Sequence, residues 1–158
     1  MRDLHGESTG RGLRIGIAYA RFNEFVGERL LSGALGALSR AGVAEEAITL
    51  ARVPGCFELP LTARKLCADH DAVICLGVLI KGETPHFDYI AAECTRGIGE
   101  TALTSGVPVI YGVLTTHTLE AAIDRAGGKM GNKGAEAAQT AIEMANLYRQ
   151  IAKPARRK

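Results

Sequence analysis

Nine consecutive residues, Ala72-Val73-Ile74-Cys75-Leu76-Gly77-Val78-Leu79-Ile80, carry no charged or strongly polar side chain. A run this short and unalternated reads as a strand covered on both faces, and it falls well short of a membrane span. A strand buried on both sides needs helices above and below it, so the segments around it should alternate strand and helix. They do. Leu13 to Ala20 reads as the first strand, Glu24 to Ala41 as an amphipathic helix closed by Gly42, and Ala47 to Val53 as the second strand. After a Pro54-Gly55 turn, a second helix is expected from about Phe57 to Asp69, with Pro60 tolerable only near its start. Asp71 to Ile80 is the third strand, Pro85 to Ser105 a third helix, and Val107 to Leu114 the fourth strand. Helices over Thr118 to Ala126 and Ala135 to Ile151 complete the pattern. The economical architecture is an α/β fold: a three-layer α/β/α sandwich on a four-stranded parallel sheet, flavodoxin-like in outline.

At 158 residues and 47% apolar, the chain suits one domain, taken as residues 1–152. Lys153, Arg156, Arg157 and Lys158 make a basic, flexible tail over 153–158; removing those four charges from the formal net charge of +2 leaves the body at −2. A basic nucleic-acid face is therefore not implied. Cys56, Cys67, Cys75 and Cys94 form no CxxC pair, and the four histidines show no ligand spacing, so reduced thiols, no metal site and no membrane segment are expected. An N-terminus without an apolar segment points to the cytoplasm.

The residues after the third strand, Gly82-Glu83-Thr84-Pro85-His86-Phe87-Asp88-Tyr89, carry the chemistry. Thr84 is a good helix N-cap and Pro85 suits the first helical position, so free backbone N–H groups and the positive end of a helix dipole would meet an anion at the carboxyl edge of the sheet. His86 in that first turn is suited to move protons as a neutral imidazole. The other strand ends open onto the same edge, and their loops should converge there. Phe22 could stack on a flat heterocycle beside Asn23, and Glu58 could accept hydrogen bonds from sugar hydroxyls or simply complement its own helix's dipole. Arg125 and Lys133 frame a Gly-rich stretch, 127–132, unsuited to helix, and alone they read as ordinary solvent-facing cations. Neither a GxGxxG after a strand nor a Walker loop is present, so no dinucleotide or ATP is implied.

The octet resembles the signature of the lumazine synthase family, whose members make 6,7-dimethyl-8-ribityllumazine on the way to riboflavin. Arg21-Phe22-Asn23, Val53-Pro54-Gly55-Cys56-Phe57-Glu58, Gly112-Val113-Leu114-Thr115-Thr116, Arg125-Ala126-Gly127 and the segment from Gly131 to Ala138 look like the family's remaining motifs, in the same order. Several dispersed motifs in one order are far more specific than a single Gly-rich loop. The resemblance implies condensation of 5-amino-6-(D-ribitylamino)uracil with 3,4-dihydroxy-2-butanone 4-phosphate, releasing phosphate and water without a cofactor. It assigns proton transfer to His86 and the substrate phosphate to Arg125 with Glu83 and Thr84. The pyrimidine falls to backbone at Leu79 and Ile80, with Phe22, Asn23, Cys56, Phe57 and Glu58 as further substrate contacts. Lys133 and Glu136 would lie near the ribityl chain, and Tyr111 would close the pocket.

The same resemblance implies a homo-oligomer: a pentamer whose sites are shared, with Tyr111, Arg125, Lys133 and Glu136 supplied by the neighbour. The absence of an insertion between Gly127 and Gly134 matches members that build sixty-subunit shells from twelve pentamers, and riboflavin synthase is a further candidate partner. Three positions depart from the common pattern: Cys56 for Ala, Lys81 for Arg, and Tyr111 for Phe, whose added hydroxyl needs a hydrogen-bond partner. Rival readings are a noncatalytic lumazine- or flavin-binding paralogue, a structural shell protein, and another phosphate-binding protein of flavodoxin type. The last leaves Arg125 to Glu136 unexplained, and the first two have no use for a proton shuttle.

Overall fold

The computed structural model describes residues 1–152, so the basic tail expected over 153–158 lies outside the described residues. In chain order the elements are β1 (Ile15–Ala20), α1 (Glu24–Arg40), β2 (Ile48–Val53), α2 (Leu59–Leu66), β3 (Ala72–Ile80), α3 (His86–Ser105) and β4 (Val109–Thr116). They are followed by α4 (Leu119–Arg125), β5 (Ala126–Gly128), β6 (Gly131–Asn132) and α5 (Lys133–Ala152). The first four strands form one parallel sheet in the order β2-β1-β3-β4, and β5 and β6 pair as a small antiparallel hairpin. This is the three-layer, flavodoxin-like sandwich that the alternation implies.

The two-residue period of the strands builds two cores at once. Ile15, Ile17 and Tyr19 of β1 join Ala72, Ile74 and Leu76 of β3 against α1 and α5. Their neighbours in sequence, Ala18, Ala20, Val73 and Cys75, face the other way and pack on Leu59 and Ala63 of α2 and on Cys94 and Ile98 of α3. Ile15, Ile17 and Ile74 are fully buried, each such side chain stabilising the fold by about 1.5–3 kcal/mol. Central strands therefore need apolar residues at every position, which is why β3 reads as an unbroken run.

α1 and α5 approach so closely that glycine is required between them. A Cβ on Gly134 would stand 2.0 Å from the Leu30 carbonyl oxygen, and one on Gly33 would stand 2.3 Å from Asn132 Oδ1. Asn132 fastens this junction: its Oδ1 accepts from the N–H of Gly134 (2.9 Å) and Ala135 (3.1 Å), while Nδ2 donates to the Arg29 carbonyl at 3.0 Å. The cap explains why α5 begins at Lys133, two residues before the expected Ala135.

Other boundaries also shift. α2 is short, Leu59–Leu66, preceded by a single 3-10 turn over Cys56–Glu58, and Pro60 lies in its first turn. β4 continues past Leu114 to Thr116, because the Lys81 N–H donates to the Thr116 carbonyl at 2.9 Å and extends its pairing with β3. At α3 the expected Thr84 cap is absent. Pro85 occupies the cap position, no side chain caps the helix, and the Pro85 carbonyl accepts from the N–H groups of Asp88 and Tyr89.

Candidate active site

The carboxyl ends of β1, β2 and β3 surround an open cavity of about 670 Å³. Its wall is built by tying three loops together. The Arg21 N–H donates to the Val53 carbonyl and the Phe22 N–H to the Pro54 carbonyl, so the β1 and β2 loops run side by side. Asn23 holds a left-handed backbone (φ 61°), which asparagine tolerates better than most residues, and its Nδ2 donates to the Val78 carbonyl of β3 at 2.9 Å. Its side-chain N–H is thereby engaged with the sheet. Glu58 turns back on its own loop, its Oε2 accepting from the Gly55 N–H at 3.0 Å, which leaves the second carboxylate oxygen available.

Cys56 lines this cavity, yet its thiol points beneath it. A Cβ built on Gly77 would lie 2.6 Å from Cys56 Sγ, so the thiol rests on a β3 position that only glycine can fill. Burial pushes Cys56 up to about 12, which makes it a poor nucleophile. Above it the surface is aromatic and exposed: Phe22 and Phe57 are more than half accessible, as suits rings with no protein partner to cover them. His86 is exposed at the first position of α3 and lines the same cavity with Thr84, Leu79 and Ile80. Lys81 stands 3.8 Å from Asp88 with its ammonium over the Phe87 ring, keeping a cation beside the helix start.

A second cavity, about 570 Å³, lies along the outer edge of β4 between α4 and α5. Arg125 is anchored by one nitrogen, Nη1 donating to the Ala121 carbonyl at 2.9 Å, which leaves the remainder of its guanidinium fork available to a ligand. Lys133 and Glu136 face each other one turn apart, Nζ to Oε2 at 2.6 Å. Tyr111 borders this cavity as well, its hydroxyl 3.0 Å from Thr95 Oγ1 on α3, and burial raises its phenol above the usual range. β4 pairs only with β3, so among the described residues no strand covers its far side.

Residues 12–149 match the model of a protein family described as 6,7-dimethyl-8-ribityllumazine synthase. The chain belongs to that family. Lumazine synthases act in riboflavin biosynthesis, so the match points to an enzyme and to a small-molecule site. The residues expected of a lumazine synthase site fall into two groups in this chain. Phe22, Asn23, Cys56, Phe57, Glu58, Leu79, Ile80, Thr84 and His86 line the first cavity; Tyr111, Arg125, Lys133 and Glu136 line the second. The two cavities have no lining residue in common, so the convergence expected of all four strand ends holds for only three of them.

Glu83 is exposed and borders neither cavity. Phe87 and Ile90 do line the first, and sequence reasoning passed over them. Ile90 sits four residues after His86 on the same helical face, a spacing that could have found it. Thr95, the partner of Tyr111, had no signal in the sequence, because its sixteen-residue separation from Tyr111 is closed only by tertiary structure. No helix among the described residues is long and apolar enough to cross a membrane.

Proposed function

We propose that this lumazine synthase family member condenses 5-amino-6-(D-ribitylamino)uracil with 3,4-dihydroxy-2-butanone 4-phosphate, in a site completed by two neighbouring copies of the chain. One observation carries the reading: each cavity alone holds half of the required chemistry. The first offers aromatic platforms, a carboxylate and an imidazole beside a helix start, and the second offers a partly free guanidinium and a Lys–Glu pair. A head-to-tail ring, in the proposed form five copies, brings the second half of one copy to the first half of the next.

The arylamine and the ketone condense to an imine with loss of water, which requires little activation. Holding both reactants in register supplies much of the acceleration. In the step that follows, a proton leaves the carbon next to the imine and the C–O bond to phosphate breaks. His86 is suited to take that proton, and Arg125 with the first backbone N–H groups of α3 is suited to stabilise the departing phosphate. Glu58 retains an oxygen for the ribityl hydroxyls, and Phe22 a face for the pyrimidine.

The test is to supply both substrates to the purified protein and follow the absorbance and fluorescence of the lumazine. His86→Ala should lower turnover by on the order of 10²–10⁴, the usual contribution of a general acid or base. Arg125→Ala should instead raise the KM for the phosphate substrate. Absence of product from the wild-type chain would end this reading.

A further inference from the structure

Tyr111 and Thr115, four residues apart on the outer edge of β4, border both the Arg125 cavity and a second hollow of about 580 Å³ against α3. Tyr111 is 39% exposed, so packing alone does not fix its ring. What fixes it is a short chain of hydroxyls. Thr95 Oγ1 lies 2.7 Å from the Ala91 carbonyl and 3.0 Å from the Tyr111 hydroxyl. A carbonyl can only accept, so Thr95 gives its single proton to Ala91 and the Tyr111 hydroxyl donates to Thr95. Once its proton is committed, the phenol oxygen keeps lone pairs for a donor arriving from the open side.

We propose that Thr95 is a positioning residue of the active site: its hydroxyl holds the Tyr111 ring as the wall between the two hollows and turns the phenol oxygen outward as an acceptor. The ligand this fits is a flat heterocycle carrying N–H donors. The inference rests on the proposed function, in which that heterocycle is the aminouracil substrate. Without Thr95 the ring would regain rotamer freedom and the substrate would meet it in several orientations.

Steady-state kinetics on Thr95→Val, Thr95→Ser, Tyr111→Phe and the Thr95→Val/Tyr111→Phe double variant test this. Thr95→Val and Tyr111→Phe should each raise the KM for the aminouracil about three- to tenfold, the effect of one neutral hydrogen bond, with kcat held within about twofold. Thr95→Ser should behave as wild type, and the double variant should be no worse than either single one. A silent Thr95→Val, a Thr95→Ser as impaired as Thr95→Val, or single effects that multiply in the double variant would each overturn the positioning role while leaving the condensation reading intact. A wild-type chain that makes no lumazine overturns both.

Discussion

If His86 and Arg125 of one chain serve different sites, two impaired variants should repair each other when mixed and assayed at a concentration of the phosphate substrate far below the KM of Arg125→Ala. His86→Ala damages the first half of a copy and leaves its Arg125 half whole; Arg125→Ala does the reverse. The magnitude follows from the two cavities, which have no lining residue in common. In a head-to-tail ring assembled at random from equal amounts of both, a site is intact only where an Arg125→Ala copy presents its first half to a His86→Ala copy. Each requirement is met half the time, so about one quarter of sites should be wild type. Against a His86→Ala parent at on the order of 1% of wild-type turnover or less, the signal is large. The variants are unfolded together, refolded, and assayed for lumazine at fixed total protein. A control mixes wild type with the double variant: shared sites again give about one quarter, whereas sites contained within one chain give about one half. A mixture no more active than its parents, with a control at one half, would refute the divided site.

Three further outcomes follow from the packing. Gly134→Ala should lower the free energy of unfolding by about 1–3 kcal/mol or more, because its methyl group meets the Leu30 carbonyl oxygen, and Gly134→Ala being as stable as wild type in urea unfolding would contradict the close α1–α5 approach. Asn132→Ala removes both the α5 cap and the bond to Arg29; a loss of about 0.5–2 kcal/mol is expected in the same assay. Burial pushes the thiols of Cys56 and Cys94 up to about 12 and about 11 from the ordinary 9.0. The folded state therefore holds protons that the unfolded state releases above pH 9, so stability should fall as pH rises from about 9 through 12, and at pH 8 a thiol reagent should label the native protein far more slowly than the unfolded chain. Rapid labelling of all four cysteines in the native protein would contradict that burial.

The scaffold was open to reading because its strongest signals are local. β3 is apolar throughout, and helix-period segments separate it from β1 and β4, so layer order and sheet type follow from pattern alone. The misreadings sit where a tertiary partner decides. The last helix, expected from Ala135, begins at Lys133 because Asn132 caps it while its amide reaches α1, and Gly134 is there for the contact with Leu30. Thr84-Pro85 reads as cap and first helical residue, but the Pro85 carbonyl receives the first helical N–H groups and the threonine oxygen takes no part.

The proposed division of the site has a different origin. Sequence gives residue types and their order, and the rule that ligands gather at strand ends places all the motifs on one edge. β4, however, is an edge strand of the sheet, and although α4 and the β5–β6 hairpin that follow it pack on α1, Arg125, Lys133 and Glu136 line its unpaired side. Arg125, Lys133 and Glu136 thus stand beside an edge that nothing in the same sheet pairs with. An eight-residue edge strand with one free side, flanked by a partly free guanidinium, is open to pairing with another chain. In the proposed assembly a second copy would present its His86 cavity to that free side and supply the missing chemistry at once, which would make assembly and catalysis one requirement on the fold.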